Sequence, residues 1–274
     1  MRSKSRAGLF TLMALVLILA CGTAAASGEL YQARTIVTGQ GEESRKIGFA
    51  TALPDVLVKV SGDPRLADEP AVAALAGRAA SLVASYRYRD RMEGIPVHDE
   101  QGTRDRPFDL TVSFDQAEID AALRSLGREP WTGSRPRIVM FVSVRPGGDA
   151  YLLAADGERG RDLREALAAA AERFGMTLAL PSRAALSEAR LGVETLPAAD
   201  LATLDATIES AGGDVAMAGS LVWSDEALGW VAEWRLYSLG ESYRWQISGV
   251  SFDAALRSAA AGAAQILSGH GPPK

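Results

Sequence analysis

Val215-Ala-Met-Ala-Gly-Ser-Leu-Val-Trp223, Trp230-Val-Ala-Glu-Trp-Arg-Leu236 and Tyr243-Arg-Trp-Gln-Ile247 follow one another with few residues between them. In each run apolar and polar or small residues alternate, the two-residue period of a strand with one buried face. Asp225-Glu226 and Gly240-Glu241 stand where hairpin turns are needed. The three runs predict an antiparallel meander. Phe252, Leu256, Ala260, Ala263 and Leu267 then recur at helical spacing and predict a closing helix over one face.

Upstream of the meander, Ile138 to Val144 is almost wholly apolar, as expected of a strand covered on both faces. A helix is predicted over 160–174, with Leu163, Ala166, Leu167, Ala170 and Phe174 inward and Gly175 as its stop. A short strand follows over Met176–Leu180, then helices near 182–190 and 198–211. Residues 136–268 thus read as a mixed-sheet β-α-β-α-β-β-β-α domain whose second helical segment holds two helices.

The other half reads as a smaller unit over 27–130, joined through a polar, Pro-containing linker at 128–136. Tyr31, Ala33, Thr35 and Val37 predict a strand, broken by Gly39 and Gly41. Ile47, Ala50, Leu53, Leu57 and Val60 predict a helix that Pro54 kinks or splits. Val72, Leu75, Ala76, Ala79, Leu82, Val83 and Tyr86 predict a second helix, and 89–107 a surface loop. Phe108, Leu110, Val112 and Phe114 predict a strand with Asp109 and Asp115 on its wet side. Asp115 is the expected cap of a helix with Ile119, Ala122, Leu123 and Leu126 inward. The fold class expected is α+β.

The first residues carry an expectation about compartment. Arg2, Lys4 and Arg6 precede the apolar run Leu9 to Ala20, and Ala24-Ala25-Ala26 offers a cleavage site after Ala26. The run is short of the roughly 20 residues that span a bilayer. Residues 1–26 therefore read as a signal peptide and the mature protein as periplasmic. The alternative is a lipid anchor at Cys21, the single cysteine, although Leu19 stands where a lipoprotein motif favours a small residue. Cleavage leaves 26 basic residues against 34 acidic, a net charge of −8 instead of −5. That balance disfavours nucleic acid and anionic membrane surfaces as partners, short of a local basic patch.

The chemistry-bearing residues are sparse. Gly39-Gln-Gly-Glu-Glu-Ser44 nearly has the spacing of a dinucleotide-binding turn, but the third glycine is absent. Glu42 and Glu43 occupy the helix start, where they favour the helix dipole and repel phosphate. His98 and His270 are the only histidines, in a polar loop and a Gly-Pro tail. They assemble neither a Ser-His-Asp relay nor a zinc site. Asp109 and Asp115 lie about 20 Å apart along an extended strand, too far for a glycosidase pair. No cofactor and no metal is expected. Trp223, Trp230, Trp234 and Trp245 fall on the apolar sheet face, as core or as the wall of a ligand groove. Ser220, Glu233, Arg235, Arg244 and Gln246 fall on the opposite face, a candidate partner-binding surface, with Glu233 and Arg244 able to pair across strands.

Tyr31-x-Ala33, the run Ala52-Leu53-x-x-Val56-Leu57-Val58-Lys59-Val60-Ser61-Gly62, Val112-x-Phe114-Asp115, Trp131-x-x-x-Arg135-Pro136, Leu180-Pro181 and the Trp234 strand together resemble an exported family of Gram-negative bacteria, domain of unknown function 2066. The resemblance spans most of 30–265. It implies an envelope location and brings no catalytic residue. The element order of the second half is also similar to a small domain of envelope assembly proteins: the Tol translocation protein, curli-secretion lipoproteins and outer-membrane activators of peptidoglycan synthases. That architecture implies a non-enzymatic accessory role with an envelope protein or peptidoglycan as partner. A carboxylate-dependent hydrolase and a small-ligand carrier are the alternatives.

Overall fold

The computed structural model describes residues 28–94, 106–238 and 240–273. Ala26, Cys21 and the rest of the leader lie outside the described residues, as does His98. The fold is α+β, with one antiparallel and one mixed sheet. The described chain forms two compact units, 28–60 with 68–128 and 61–67 with 129–273.

In the first unit, β1 (Gln32–Thr38), β2 (Val83–Asp90) and β3 (Pro107–Phe114) form a sheet in the order β1-β3-β2, antiparallel throughout. Ala33, Val37, Leu110, Val112 and Phe114 are buried on one face. The side chains of Phe49, Leu53, Val56 and Leu57 on α1 (Glu42–Ser61) are buried in the same unit. Pro54 does not split α1, which runs unbroken for 20 residues. Ile47 is 61% exposed, outside the apolar face on which the spacing placed it.

The helix expected over 72–86 is cut short. α2 (Pro70–Ala76) stops at Gly77, a 3-10 turn spans Ala79–Leu82, and the chain then extends as β2. Tyr86 and Tyr88 alternate there with Arg87 and Arg89 in a half-exposed edge strand. Asp109 also departs from the wet position expected of it. It is 7% exposed and accepts hydrogen bonds from Arg89 Nε and Nη2 at 3.1 and 2.5 Å. Asp115 caps α3 (Gln116–Ser125) by accepting from the Glu118 amide at 3.1 Å.

The second unit is built on six strands: β4 (Arg137–Arg145), β5 (Tyr151–Leu153), β6 (Thr177–Ala179), β7 (Val215–Ser224), β8 (Gly229–Ser238) and β9 (Glu241–Val250). The order is β5-β4-β7-β8-β9, with β6 also paired to β4. β4 runs parallel to β6 and β7, while β7, β8 and β9 form the antiparallel meander. Ile138 to Val144 are all buried, because helical segments cover both sides of the central strands. α4 (Arg161–Phe174) and α7 (Phe252–Leu267) pack together and cover the Met140, Met217 and Trp234 side. On the other side, Val139, Phe141, Ala216 and Ala218 form one core with Leu186 of α5 (Arg183–Glu188) and Ile208 of α6 (Asp205–Ser210). The single helix expected over 198–211 is instead two 3-10 turns, Leu196–Ala198 and Leu201–Thr203, followed by α6.

The motif residues that carried the family resemblance are structural. Lys59 Nζ donates to the Gln32 carbonyl at 2.8 Å, tying α1 to β1. Gly62 takes φ +76°, and a Cβ there would lie 2.5 Å from that of Ser268, whose hydroxyl donates to the Gly62 carbonyl at 3.2 Å. Arg135 lies 4.1 Å over the Trp131 ring and also donates to the last carbonyls of α4, at Phe174 and Gly175.

Candidate functional site: a polar groove on the mixed sheet

Register decides what the meander offers to solvent. Side chains of β4, β7, β8 and β9 that share a face fall into rows across the strands. One row is Phe141, Ala218, Arg235 and Arg244; the next is Ser143, Ser220, Glu233 and Gln246. Both rows lie on the side that α5, α6 and the 3-10 turns cover only over β4 and β7. Over β8 and β9 the cover ends. Glu233, Arg244 and Gln246 are exposed there, whereas Ser143 is buried beneath the covering segment.

The edge of this cover makes a groove of about 690 Å³. Ser220, Glu233, Arg235, Arg244 and Gln246, the five residues picked out by alternation, all line it, with Leu196 and Pro197 as a wall. Arg235 holds that wall in place: Nη2 donates to the Leu196 carbonyl at 2.9 Å and Nη1 to that of Ala199 at 3.3 Å. Burial, and then the adjacent positive charge of Arg244, lower the Arg235 pKa from its ordinary value. At the far end Arg145 Nη2 lies 2.8 Å from Glu194 Oε1. The expected Glu233–Arg244 pair does not form. Register sets Glu233 opposite Ser220 and Gln246, and Arg244 opposite Arg235. Among the described residues neither Glu233 nor Arg244 has an ion-pair partner.

Such a groove can bind and orient. It offers donors (Arg244, Gln246, Ser220), one acceptor-only group (Glu233) and an apolar wall. Among the described lining residues Glu233 is the single carboxylate.

The tryptophans separate into two kinds. Trp234 is 1% exposed, and Trp245 is buried with Nε1 donating to the Ser258 carbonyl of α7 at 3.2 Å. Trp223 and Trp230 meet edge to face at 5.9 Å at the end of the β7–β8 hairpin, with Trp223 42% exposed. Trp230 joins Tyr151, Phe252, Glu158 and Asp162 around a second concavity of about 470 Å³. Alternation alone placed all four indoles under the closing helices; the helices stop short of the hairpin end. β5, which supplies Tyr151, is three residues long and has no periodic signal.

The remaining sequence candidates resolve locally. Glu42 opens α1 and pairs with Lys46 at 2.7 Å; this bond holds its carboxyl below the usual range. His270 is half-buried, with Nδ1 2.8 Å from Ser268 Oγ, rather than free in a tail. Among the described residues no cluster of His, Cys, Asp and Glu could hold a metal ion, and no helix is long and apolar enough to cross a membrane.

Fold and groove define an α+β protein with a polar groove at the uncovered part of a mixed sheet. Residues 24–132 match a family described as a domain of unknown function (DUF8605). The match is to an uncharacterised domain, and it is not domain of unknown function 2066. The match ends before β4, so every groove residue lies beyond it. No curated protein and no solved structure matches the chain significantly.

Proposed function

We propose that the chain is an exported, periplasmic accessory protein that uses the groove of its second unit to bind another envelope protein or peptidoglycan, without catalysing a reaction. The observation that carries this reading is the convergence of Ser220, Glu233, Arg235, Arg244 and Gln246 on one groove whose wall Arg235 fixes. Preorganised polar groups of mixed sign beside an apolar wall suit recognition. The positive start, apolar run and Ala24-Ala25-Ala26 of the leader support export, as does the resemblance to the exported family of domain of unknown function 2066. A photo-crosslinking amino acid at position 246, used in living cells, tests the groove. A reproducible adduct with one envelope component, lost on Arg244→Glu, supports the reading; labelling unaffected by that substitution overturns it. N-terminal sequencing of the mature protein decides between cleavage after Ala26 and acylation of Cys21.

A second reading, a small-ligand carrier, draws on the concavity walled by Tyr151, Trp230 and Phe252. A saturable change in tryptophan fluorescence with an added ligand, abolished by Trp230→Phe, would favour it.

A further inference from the structure

The first unit has a sheet face that the proposed function does not use. With Ala33, Val37, Leu110 and Val112 turned inward, alternation turns Arg34 and Ile36 of β1, Asp109 of β3, and Arg87 and Arg89 of β2 outward. Register sets Arg34 and Arg87 on either side of Thr111, and Ile36 and Arg89 on either side of Asp109. Arg91, just past β2, brings its Nε within 3.5 Å of Asp109 Oδ1. Four arginines thus accompany a single carboxylate, which Arg89 and Arg91 contact, in a chain whose overall charge is −5.

This face is open. Arg34 and Arg87 are exposed, and the Arg89 and Arg91 side chains are 69% and 45% exposed although both reach Asp109. Arg87 has no side-chain partner among the described residues. The buried carboxylate accounts for the order of the array: it fixes two guanidinium groups through charge-assisted contacts and leaves their other N–H donors toward solvent. Ile36, 57% exposed, stands among these cations.

We propose that the outer face of β1-β3-β2 docks on an anionic phospholipid bilayer, the arginines taking headgroup phosphates and Ile36 entering the headgroup–acyl boundary. The cations are spread in two dimensions, about 10 Å apart across the intervening β3 and about 7 Å between alternate residues along a strand. That spacing suits an array of phosphates better than a single bound anion. An exposed apolar side chain among basic ones is the composition of an interfacial surface; an acidic peptide or a nucleic acid would leave Ile36 without a role. This surface is independent of the groove.

Sedimentation of the full chain with vesicles tests the assignment, using phosphatidylcholine alone or mixed with phosphatidylglycerol. Binding is expected to rise with phosphatidylglycerol and fall with salt. A retained leader, with Arg2, Lys4 and Arg6, would itself favour phosphatidylglycerol, so the loss on substituting Arg87 in the same full chain isolates the sheet face. Arg87→Ala should weaken the anionic component roughly fivefold, Arg87→Lys should largely restore it, and Ile36→Asn should weaken it with its salt dependence unchanged. Circular dichroism checks that each variant is folded. Equal binding to both vesicles, or an Arg87→Ala variant indistinguishable from the parent, overturns the proposal. So does tighter binding to polyglutamate or duplex DNA than to vesicles, which would assign the face to a soluble polyanion.

Discussion

Gly219 and Trp234 are cross-strand partners, and a Cβ on Gly219 would stand 2.1 Å from Trp234 Cε3. The indole is 1% exposed and cannot swing outward, so the strand offers it a side-chain-free position. Gly219→Ala is expected to destabilise by about 1–3 kcal/mol through overpacking, read as a lower urea midpoint with altered near-ultraviolet dichroism. Arg235 makes the opposite kind of contact, a long polar side chain that fastens a loop instead of filling a core. Removing its bonds to the Leu196 and Ala199 carbonyls should free the groove wall. Arg235→Ala is therefore expected to speed hydrogen exchange over 196–204 while leaving β7 and β8 protected. The face each of these side chains takes was already implied by two-residue alternation. The pairing of Glu233 with Gln246 rather than Arg244 was not legible, because alternation assigns a face and leaves the sliding position between strands open.

At the scale of elements, the sequence was readable where the apolar pattern is clear, one-sided in β8 and β9 or continuous in β4, and failed where it is mixed. β8, β9 and α7 follow their patterns because one face is covered and the other wet. β2 was hidden by apolar residues that keep helical spacing past Gly77, and its own tyrosines are half exposed at a sheet edge. Asp109 misled for a related reason: its wet-face position is sealed by long side chains from the neighbouring strand. Two elements carry their own tests. Pro54 sits inside α1 and leaves the Ala50 carbonyl without its helical donor, so Pro54→Ala should stabilise the protein by about 1–3 kcal/mol, seen as a raised unfolding temperature. Asp156 receives the Arg183 amide at 2.8 Å at the start of α5, and chiefly this bond holds its pKa below the ordinary carboxylate value. A depressed folded pKa means stabilisation that is complete at neutral pH and fades as acid drives the pH through it. The stability gap between the parent and Asp156→Ala should thus be open at neutral pH and close below about 4. A gap that stayed constant with pH would remove the carboxylate from that account.

On the scale of the whole molecule, the decisive feature is two surfaces of different character on two units with separate cores. The groove combines one carboxylate with arginine, amide and hydroxyl groups beside an apolar wall, whereas the outer face of β1-β3-β2 is a cationic array around an isoleucine. Surfaces that share no residues and sit on different units should respond to substitution independently. Arg244→Glu is expected to abolish crosslinking at position 246 and leave vesicle sedimentation at its parental value. Arg87→Glu should do the reverse, and the double substitution should show both losses at their single-variant sizes. The two charge reversals change net charge by the same amount, so a response to overall charge alone would make them equivalent in both assays. If instead either substitution impaired both measurements with the fold intact, the surfaces would be energetically coupled, and one partner bridging both units would have to replace two separate attachments.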